Sequence, residues 1–225
     1  MKVSIIIPTL NEGLVLERTL MEISRHAPHE LIIADGGSRD DTLHIARKFT
    51  TRIIQTPPER ARQMNAAAWI STGDILLFLH ADSRVDIHCY RKMIEVIRQE
   101  DKLGGAFSLA IDSEKMSLRL ISALATLRSK YLHLVYGDQA IFVRTRVFQE
   151  MRGFSSLPIC EDLDFFRRLR ERGSIVVLDE KAQTSARRWL EEGIWFTTLR
   201  NAVIATLFLL GFSPRILSKW YLAIR

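Results

Sequence analysis

The apolar run at residues 75–79 leads without a turn signal into His80, Ala81 and Asp82. A carboxylate at the carboxyl end of a buried strand can close a turn, cap the following helix or hold a metal ion. A second run, 31–34, ends in the same way on Asp35, Gly36, Gly37 and Ser38, and a third, 3–7, ends on Pro8, Thr9, Leu10, Asn11 and Glu12. These endings set oxygen ligands beside glycines that let a backbone approach a ligand closely. Glu161 and Asp162 form one more acidic pair, placed where a helix would begin ahead of Leu163 and Phe165-Phe166.

For these groups to meet, the fold must bring the ends of the runs to one edge. Run 3–7 is apolar apart from Ser4 and ended by Pro8, which suits a strand buried on both faces. Helical spacing follows from Asn11, with Leu14, Leu16, Leu20, Met21 and Ile23 set among charged residues. The pattern then repeats: helix at 42–49, short strand at 52–55, helix at about 59–70, strand at 75–79, helix at about 86–99. Short helical crossovers dictate a mainly parallel, Rossmann-like α/β sheet with helices on both faces. Ligands of such sheets bind at the carboxyl ends of the strands, so 8–12, 35–38 and 80–82 line one rim. That rim carries neither GxGxxG nor GxxxxGK[ST], which argues against dehydrogenase and ATPase chemistry. Beyond residue 100 the spacing predicts strands at 104–111, 140–143 and 175–178 and helices at 115–132 and from Glu161, with Gly173 as a stop.

The 225 residues, 47% hydrophobic and 26% charged, suit one large domain with at most a small appendage. The net charge of +6 fits nucleic acid, anionic lipid or a phosphorylated small molecule. The basic residues form no block of five or six, which speaks against a nucleic-acid partner. Cys89 and Cys160 have no metal-ligand spacing and give no disulfide framework, so a reducing, cytoplasmic location is expected. The first apolar run reads as a strand and lacks the length and cleavage site of a signal peptide.

In order along the chain stand "IIIPTLNE" (5–12), "IIADGGSRDDT" (32–42), "RARQMNAAA" (60–68), "LLFLHADS" (76–83), "GGAF" (104–107), "GDQAIFVR" (137–144) and "CEDLDFFRRLR" (160–170). Together they resemble the inverting family 2 glycosyltransferases of GT-A fold, and more closely the small bacterial branch of radical-SAM/selenodomain-associated transferase 2. A lone "DGGS" is weak, whereas seven motifs in series, reaching to about Trp189, are specific. The resemblance implies a GT-A domain at 1–190, with a nucleotide-sugar-binding half at 1–110 and an acceptor half at 111–190. It implies a donor site of Pro8, Thr9, Glu12, Asp35, Gly36, Arg62, Asn65, Ala81 and Asp82. Thr9 and Glu12 match residues around the base and ribose, and Asp35 matches the carboxylate that accepts a uracil N–H. Arg60, Arg62 and Asn65 match a basic segment near the pyrophosphate, where arginine's planar fork suits phosphate oxygens. Plainer uses are open as well: Thr9 or Asn11 as a helix N-cap, Asp35 as an Asx-turn, Arg60 on a solvated helix face. Asp40 and Asp41 suit the N-cap and first turn of a helix and stay outside the expected site.

Family members usually carry Asp-x-Asp at the fourth strand's end, the later acid holding a divalent cation between two phosphates. Here His80 replaces the first acid and Asp82 keeps the second. One carboxylate with substrate phosphates and water is enough for Mg²⁺, while an imidazole ligand at His80 would favour Mn²⁺. Glu161-Asp162 matches the family's "ED". Asp162 is expected to take the acceptor hydroxyl's proton and Glu161 to position it, although acids at a helix N-terminus also stabilise the helix itself. Asp138 and Gln139 are expected to line the acceptor pocket. "SARRW" (185–189) resembles part of the Gln-x-x-Arg-Trp motif of processive synthases, with Ser185 in the glutamine's place and no long membrane bundle. Processive synthesis is therefore not expected. Arg188 is expected near the diphosphate and Trp189 near the acceptor, or else as an aromatic at a strand end.

Residues 202–212 carry no charge but fall short of the ~20 residues that a bilayer span needs. With Arg215, Lys219, Arg225 and the aromatics Phe212, Trp220 and Tyr221, segment 191–225 suits amphipathic helices. They could lie in a membrane interface, pack on the catalytic domain or pair with a second copy. The resulting expectation is a cytoplasmic glycosyltransferase, peripheral on the inner membrane face or homodimeric through this segment. It moves one sugar from a nucleotide-sugar donor, a UDP-sugar, to a lipid-like acceptor's hydroxyl with inversion and a divalent cation. The alternatives are a nucleotidyltransferase, whose glycine- and arginine-rich signature is missing, and a non-catalytic nucleotide-sugar-binding protein, which leaves Asp82, Glu161 and Asp162 unexplained.

Overall fold

In the computed structural model, which describes residues 1–99 and 101–222, Val3–Thr9 (β1), Glu30–Asp35 (β2), Ile53–Gln55 (β3) and Ile75–Phe78 (β4) alternate with Gly13–Ser24 (α1), Thr42–Arg47 (α2) and Arg60–Trp69 (α3). The four strands pair in parallel in the order β3-β2-β1-β4. The chain continues through Ser83–Arg84 (β5), Ile87–Gln99 (α4), Gly104–Asp112 (β6) and Met116–Leu127 (α5). A π-helical turn at Arg128–Leu132 and a tight 3₁₀ turn at Gly137–Gln139 lead to Phe142–Arg144 (β7) and Thr145–Glu150 (α6). Glu161–Arg172 (α7), Ile175–Ser185 (β8), Arg187–Glu192 (α8), Ile194–Leu209 (α9) and Pro214–Leu222 (α10) complete it. One eight-stranded sheet results, β3-β2-β1-β4-β7-β6-β8-β5, in which β5 and β7 run against the other six.

The alternation of side chains along each strand splits the core into two layers. Ile5, Ile7, Leu31, Ile33 and Leu77 face α1, α2 and α4, where they meet Leu16, Leu20, Ile45 and Met93. Ile6, Ile32, Leu76 and Phe78 face α3, α6 and α7, where they meet Met64, Ala67, Phe148 and Phe165. Both faces of the central strands are covered, which is why those strands read as continuous apolar runs rather than alternating ones.

Several boundaries differ from expectation. β1 continues through Pro8, because residue 8 turns its backbone toward β4, whose pairing with β1 has already ended at Ile6–Phe78. A proline is tolerated where no ladder partner needs its N–H. α1 starts at Gly13 rather than Asn11, whose backbone is left-handed (φ 55°). Its N-terminus is capped from another loop: Asp40 Oδ2 accepts the Gly13 N–H at 3.0 Å and Thr42 Oγ1 the Glu12 N–H at 2.8 Å. β4 stops at Phe78, so Asp82 lies four residues past the strand, ahead of the two-residue β5. β8 has 11 residues instead of the expected four, and α6 and α8 were not expected. Arg225, counted among the basic residues of the C-terminal segment, lies outside the described residues.

Candidate active site

A cleft of about 600 Å³ opens beyond the carboxyl ends of β4 and β8, lined among others by Arg60, His80, Asp82, Asp138, Glu161, Asp162, Arg188 and Trp189. Asp82 reaches it from a turn that needs no help from its side chain. The Ser83 N–H donates to the His80 carbonyl at 3.0 Å, and the Ser185 N–H to the Asp82 carbonyl at 3.2 Å. Nor does Asp82 cap the next helix, since Asp86 Oδ1 accepts the Cys89 N–H at 2.8 Å. The Asp82 carboxylate lines the cleft, and its local engagement is a long bond of 3.5 Å that Oδ1 accepts from the Ser83 hydroxyl.

Opposite it, α7 begins with Glu161 and Asp162, both favoured there by the helix dipole. Asp162 Oδ2 accepts the Gly137 N–H at 2.5 Å and Oδ1 the Leu163 N–H at 2.8 Å. A Cβ on Gly137 would lie 2.6 Å from His80 Nε2 and 3.3 Å from Asp162 Oδ2, so glycine lets imidazole, turn and carboxylate close on one another. Asp138, next in the same turn, has an Oδ1 that is buried and has no hydrogen-bond partner. Burial pushes its carboxyl up to about 6. Arg128 opposes that shift, and the charges of Asp162 and Asp82 add to it. Glu161 is buried, with Arg60 Nη1 3.5 Å from its Oε1. Burial raises its carboxyl above the ordinary range while Arg60 works the other way. Burial disfavours the charge on Arg60, yet the nearby Glu161, Tyr221, Asp162 and Asp82 hold its guanidinium above the usual arginine value.

The expected donor residues fall into two groups. Asp82 and His80 line the cleft, and Ala81 between them is buried. Pro8, Thr9, Glu12, Asp35 and Gly36 stand on the rim at the ends of β1 and β2 and do not line it. Asp35 is fully buried: Oδ2 accepts the Gly37 and Ser38 N–H groups at 2.9 Å, and Oδ1 the Ser38 and Thr9 hydroxyls at 2.5 and 3.2 Å. This is the Asx-turn geometry. A Cβ on Gly36 would come within 3.2 Å of Pro58 and Gln63. Arg187 Nη2 sits 3.2 Å from Glu12 Oε2 and ties this rim to the segment after β8.

Three expected site residues lie elsewhere. Arg62 does not line the cleft; its side chain is half exposed, with Nε 3.8 Å from Glu59. Two residues along a helix turn by about 200°, so Arg60 and Arg62 cannot share a face, and Arg60 is the one that faces in. Asn65 brackets a loop, donating to the Phe154 carbonyl and accepting the Phe154 N–H, both at 2.8 Å. Gln139 is fully buried, with Nε2 donating to the Phe107 carbonyl and the Ser129 hydroxyl, so it braces the turn behind Asp138 rather than lining a pocket. Trp189 lines the cleft while packing on the α5 cluster, and its buried Nε1 has no partner. Sequence reasoning missed Gln63, whose amide joins the Thr9 and Ala34 carbonyls at 2.8 Å each, and Tyr221, which accepts from Arg188 at 2.5 Å. Gln63 stands inside "RARQMNAAA" between residues that drew attention for their charge, and Tyr221 lies outside every motif.

The profile of glycosyl transferase family 2 matches residues 4–151, more than half of the chain. The chain belongs to that family. It is 42% identical over 88 residues to the PGL/p-HBAD biosynthesis glycosyltransferase of Mycobacterium bovis (strain BCG / Pasteur 1173P2), covering 35% of this chain and 34% of that protein. It is 26% identical over 117 residues to an uncharacterized glycosyltransferase of Nostoc sp., covering 46% and 35%. The chain thus spans about a third of the length of these curated relatives. Among solved structures, TarS 1-349 of S. aureus superposes with a TM-score of 0.66 at 17% identity, over 92% of this chain and 66% of that one. Glucosyl-3-phosphoglycerate synthase of Mycobacterium tuberculosis, in complex with Mn²⁺, UDP and glucosyl-3-phosphoglycerate, gives 0.62 at 20% identity, over 92% and 78%. At these identities the likeness is one of fold, and it is the GT-A fold. Among the described residues no three His, Cys, Asp or Glu side chains gather to hold a metal ion by themselves.

Proposed function

We propose that this family 2 protein transfers a single sugar from a UDP-sugar to an acceptor hydroxyl, with inversion at the anomeric carbon. The observation that carries this reading is the convergence of Asp82, His80, Asp138 and Asp162 on one cleft beside Arg60 and Arg188. A base, a phosphate-facing carboxylate and cationic donors are what a direct displacement with a diphosphate leaving group requires. Asp162 takes the acceptor's proton, and Glu161, held by Arg60, positions it. The rim at Glu12 and the turn at 36–38, which the buried Asp35 holds with help from Thr9, takes the nucleoside, and Arg60 and Arg188 meet the phosphates. The choice of UDP is supported by the TarS and glucosyl-3-phosphoglycerate synthase structures that contain UDP-GlcNAc or UDP.

The residues fit a divalent cation that is shared with the donor. Asp82 supplies one carboxylate, Asp138 keeps a buried oxygen without a partner, and phosphates and water complete the shell that Mg²⁺ prefers. When bound, such a cation neutralises charge on the departing diphosphate. Membership of the radical-SAM/selenodomain-associated branch rests on the seven motifs. Two free, buried cysteines accord with a cytoplasmic site of action. A nucleotidyltransferase lacks its signature, and a merely binding protein leaves the Asp162 arrangement without a purpose.

Calorimetric titration with UDP, dTDP and GDP, with and without Mn²⁺ or Mg²⁺, tests the reading alongside Asp82→Ala. The expected result is cation-dependent UDP binding that weakens at least about tenfold in the variant. Absence of nucleotide binding under every condition would sink the transferase reading.

A further inference from the structure

We propose that α5, α9 and α10 form a docking face for an anionic lipid surface, from which the acceptor enters the cleft; the second half of this rests on the transfer reading above. Along α5 and the π-helical turn that continues it, Met116, Leu120, Leu124, Leu127 and Tyr131 recur every three or four positions and are 49–77% exposed. Its opposite face is already satisfied, because Leu118, Ile121 and Ala125 pack in a core cluster. α5 is therefore apolar on two sides, and only one of them has a partner among the described residues. On α9, Trp195, Leu199 and Val203 repeat the spacing at 42–67% exposure, and Ile194 joins the α5 cluster, so the two helices are neighbours. Ile216 and Trp220 of α10 add two more exposed side chains. Scattered exposed hydrophobics are ordinary, but contiguous stripes are not.

Charge selects the occupant. From Gly193 to Leu222 the chain has no aspartate or glutamate, and its Arg215 and Lys219 are exposed, while Arg200 is turned inward and paired with Glu192. A second copy docking by two-fold symmetry would set this basic segment against itself. Anionic headgroups complement it, and Trp195, Trp220 and Tyr131 suit the water–lipid boundary. Among the described residues no helix is long and apolar enough to cross a membrane, so the face would lie on the surface. The same helices wall the cleft on their other side, through Asn201, Ile204 and Ala205 of α9 and Ser218 and Tyr221 of α10. A lipid acceptor could then present its hydroxyl without leaving the bilayer.

Flotation of the full chain with vesicles of phosphatidylcholine alone, or mixed with phosphatidylglycerol, tests the proposal. Expected is binding to the mixed vesicles that falls with salt. The substitutions L120S/L124S and, separately, W195S/L199S should lower it about tenfold or more while UDP affinity stays unchanged. Intact UDP binding without vesicle binding overturns the docking face, and so does a dimer in light scattering that the same substitutions split without any vesicle binding. Equal, salt-independent binding to both vesicle types overturns the anionic preference. Vesicle binding without UDP binding leaves the docking face standing and removes the transfer reading.

Discussion

Two carboxylates one turn apart in space have opposite surroundings, and that difference assigns their work. Asp162 accepts two backbone N–H bonds, whereas Asp138 holds a buried oxygen with no partner and is pushed up to about 6 by burial. The proposed base predicts that Asp162→Asn will leave UDP affinity nearly unchanged and slow transfer by about 10²–10⁴-fold. Equal loss of both would remove Asp162 from that role. Asp138 makes a separate prediction about stability. Its ordinary value is 3.8, so between about pH 4 and 6 the folded chain binds more protons than the unfolded one. Stability from this group therefore falls as pH rises through that window, and the penalty is complete above about 6. Asp138→Asn should stabilise the protein at pH 7 by on the order of 1 kcal/mol, with the gain fading toward about pH 4 in denaturant titrations.

At the scale of elements, the site is made where irregular pieces meet the regular sheet. The 3₁₀ turn Gly137–Gln139 is held from behind by Gln139 and from the front by Asp162, and its glycine faces the His80 ring. Gly137→Ala has no room for its methyl group 2.6 Å from His80 Nε2, so either the ring or the turn must move. Transfer should fall at least about tenfold and stability by about 1–3 kcal/mol, with the Tm and rate measured together. A loss of stability with full activity would mean that the turn does not position Asp162. Such a turn is nearly invisible in sequence, because "GDQ" carries no periodicity and a tight fit shows only after folding. The same limit explains Asn65 and Gln139, whose polar side chains in motifs resembled binding groups but satisfy backbone groups of distant loops. Arg60 and Arg62 were separable in principle, since helical geometry lets only one of them face the cleft.

At the scale of the whole molecule, the first hundred residues were legible because strands buried on both faces write themselves as apolar runs and short crossovers leave one topology. In the second half the elements were legible close to where β6, α5, β7, α7 and the start of β8 lie, but their order in the sheet was not, because β7 and β8 insert by long-range pairing: β8 extends over 11 residues by lying between β6 and the two-residue β5. The cleft itself is closed by the C-terminal helices, and one buried ion pair fixes them. Arg200, 9% exposed, donates to Glu192 at 2.6 Å and stacks near the rings of Tyr221 and Phe196, while its Nε and Nη1 have no partner. Removing one member of a buried pair strands the other's charge, whereas replacing both with apolar groups costs little. Arg200→Met alone should therefore destabilise the chain by about 3 kcal/mol and expose residues after Glu192 to limited proteolysis, with UDP binding retained. The double substitution R200M/E192L should recover most of that loss. If the double variant is as unstable as the single one, the stacking of Arg200 on Tyr221, and not its charge pairing, holds the acceptor wall in place.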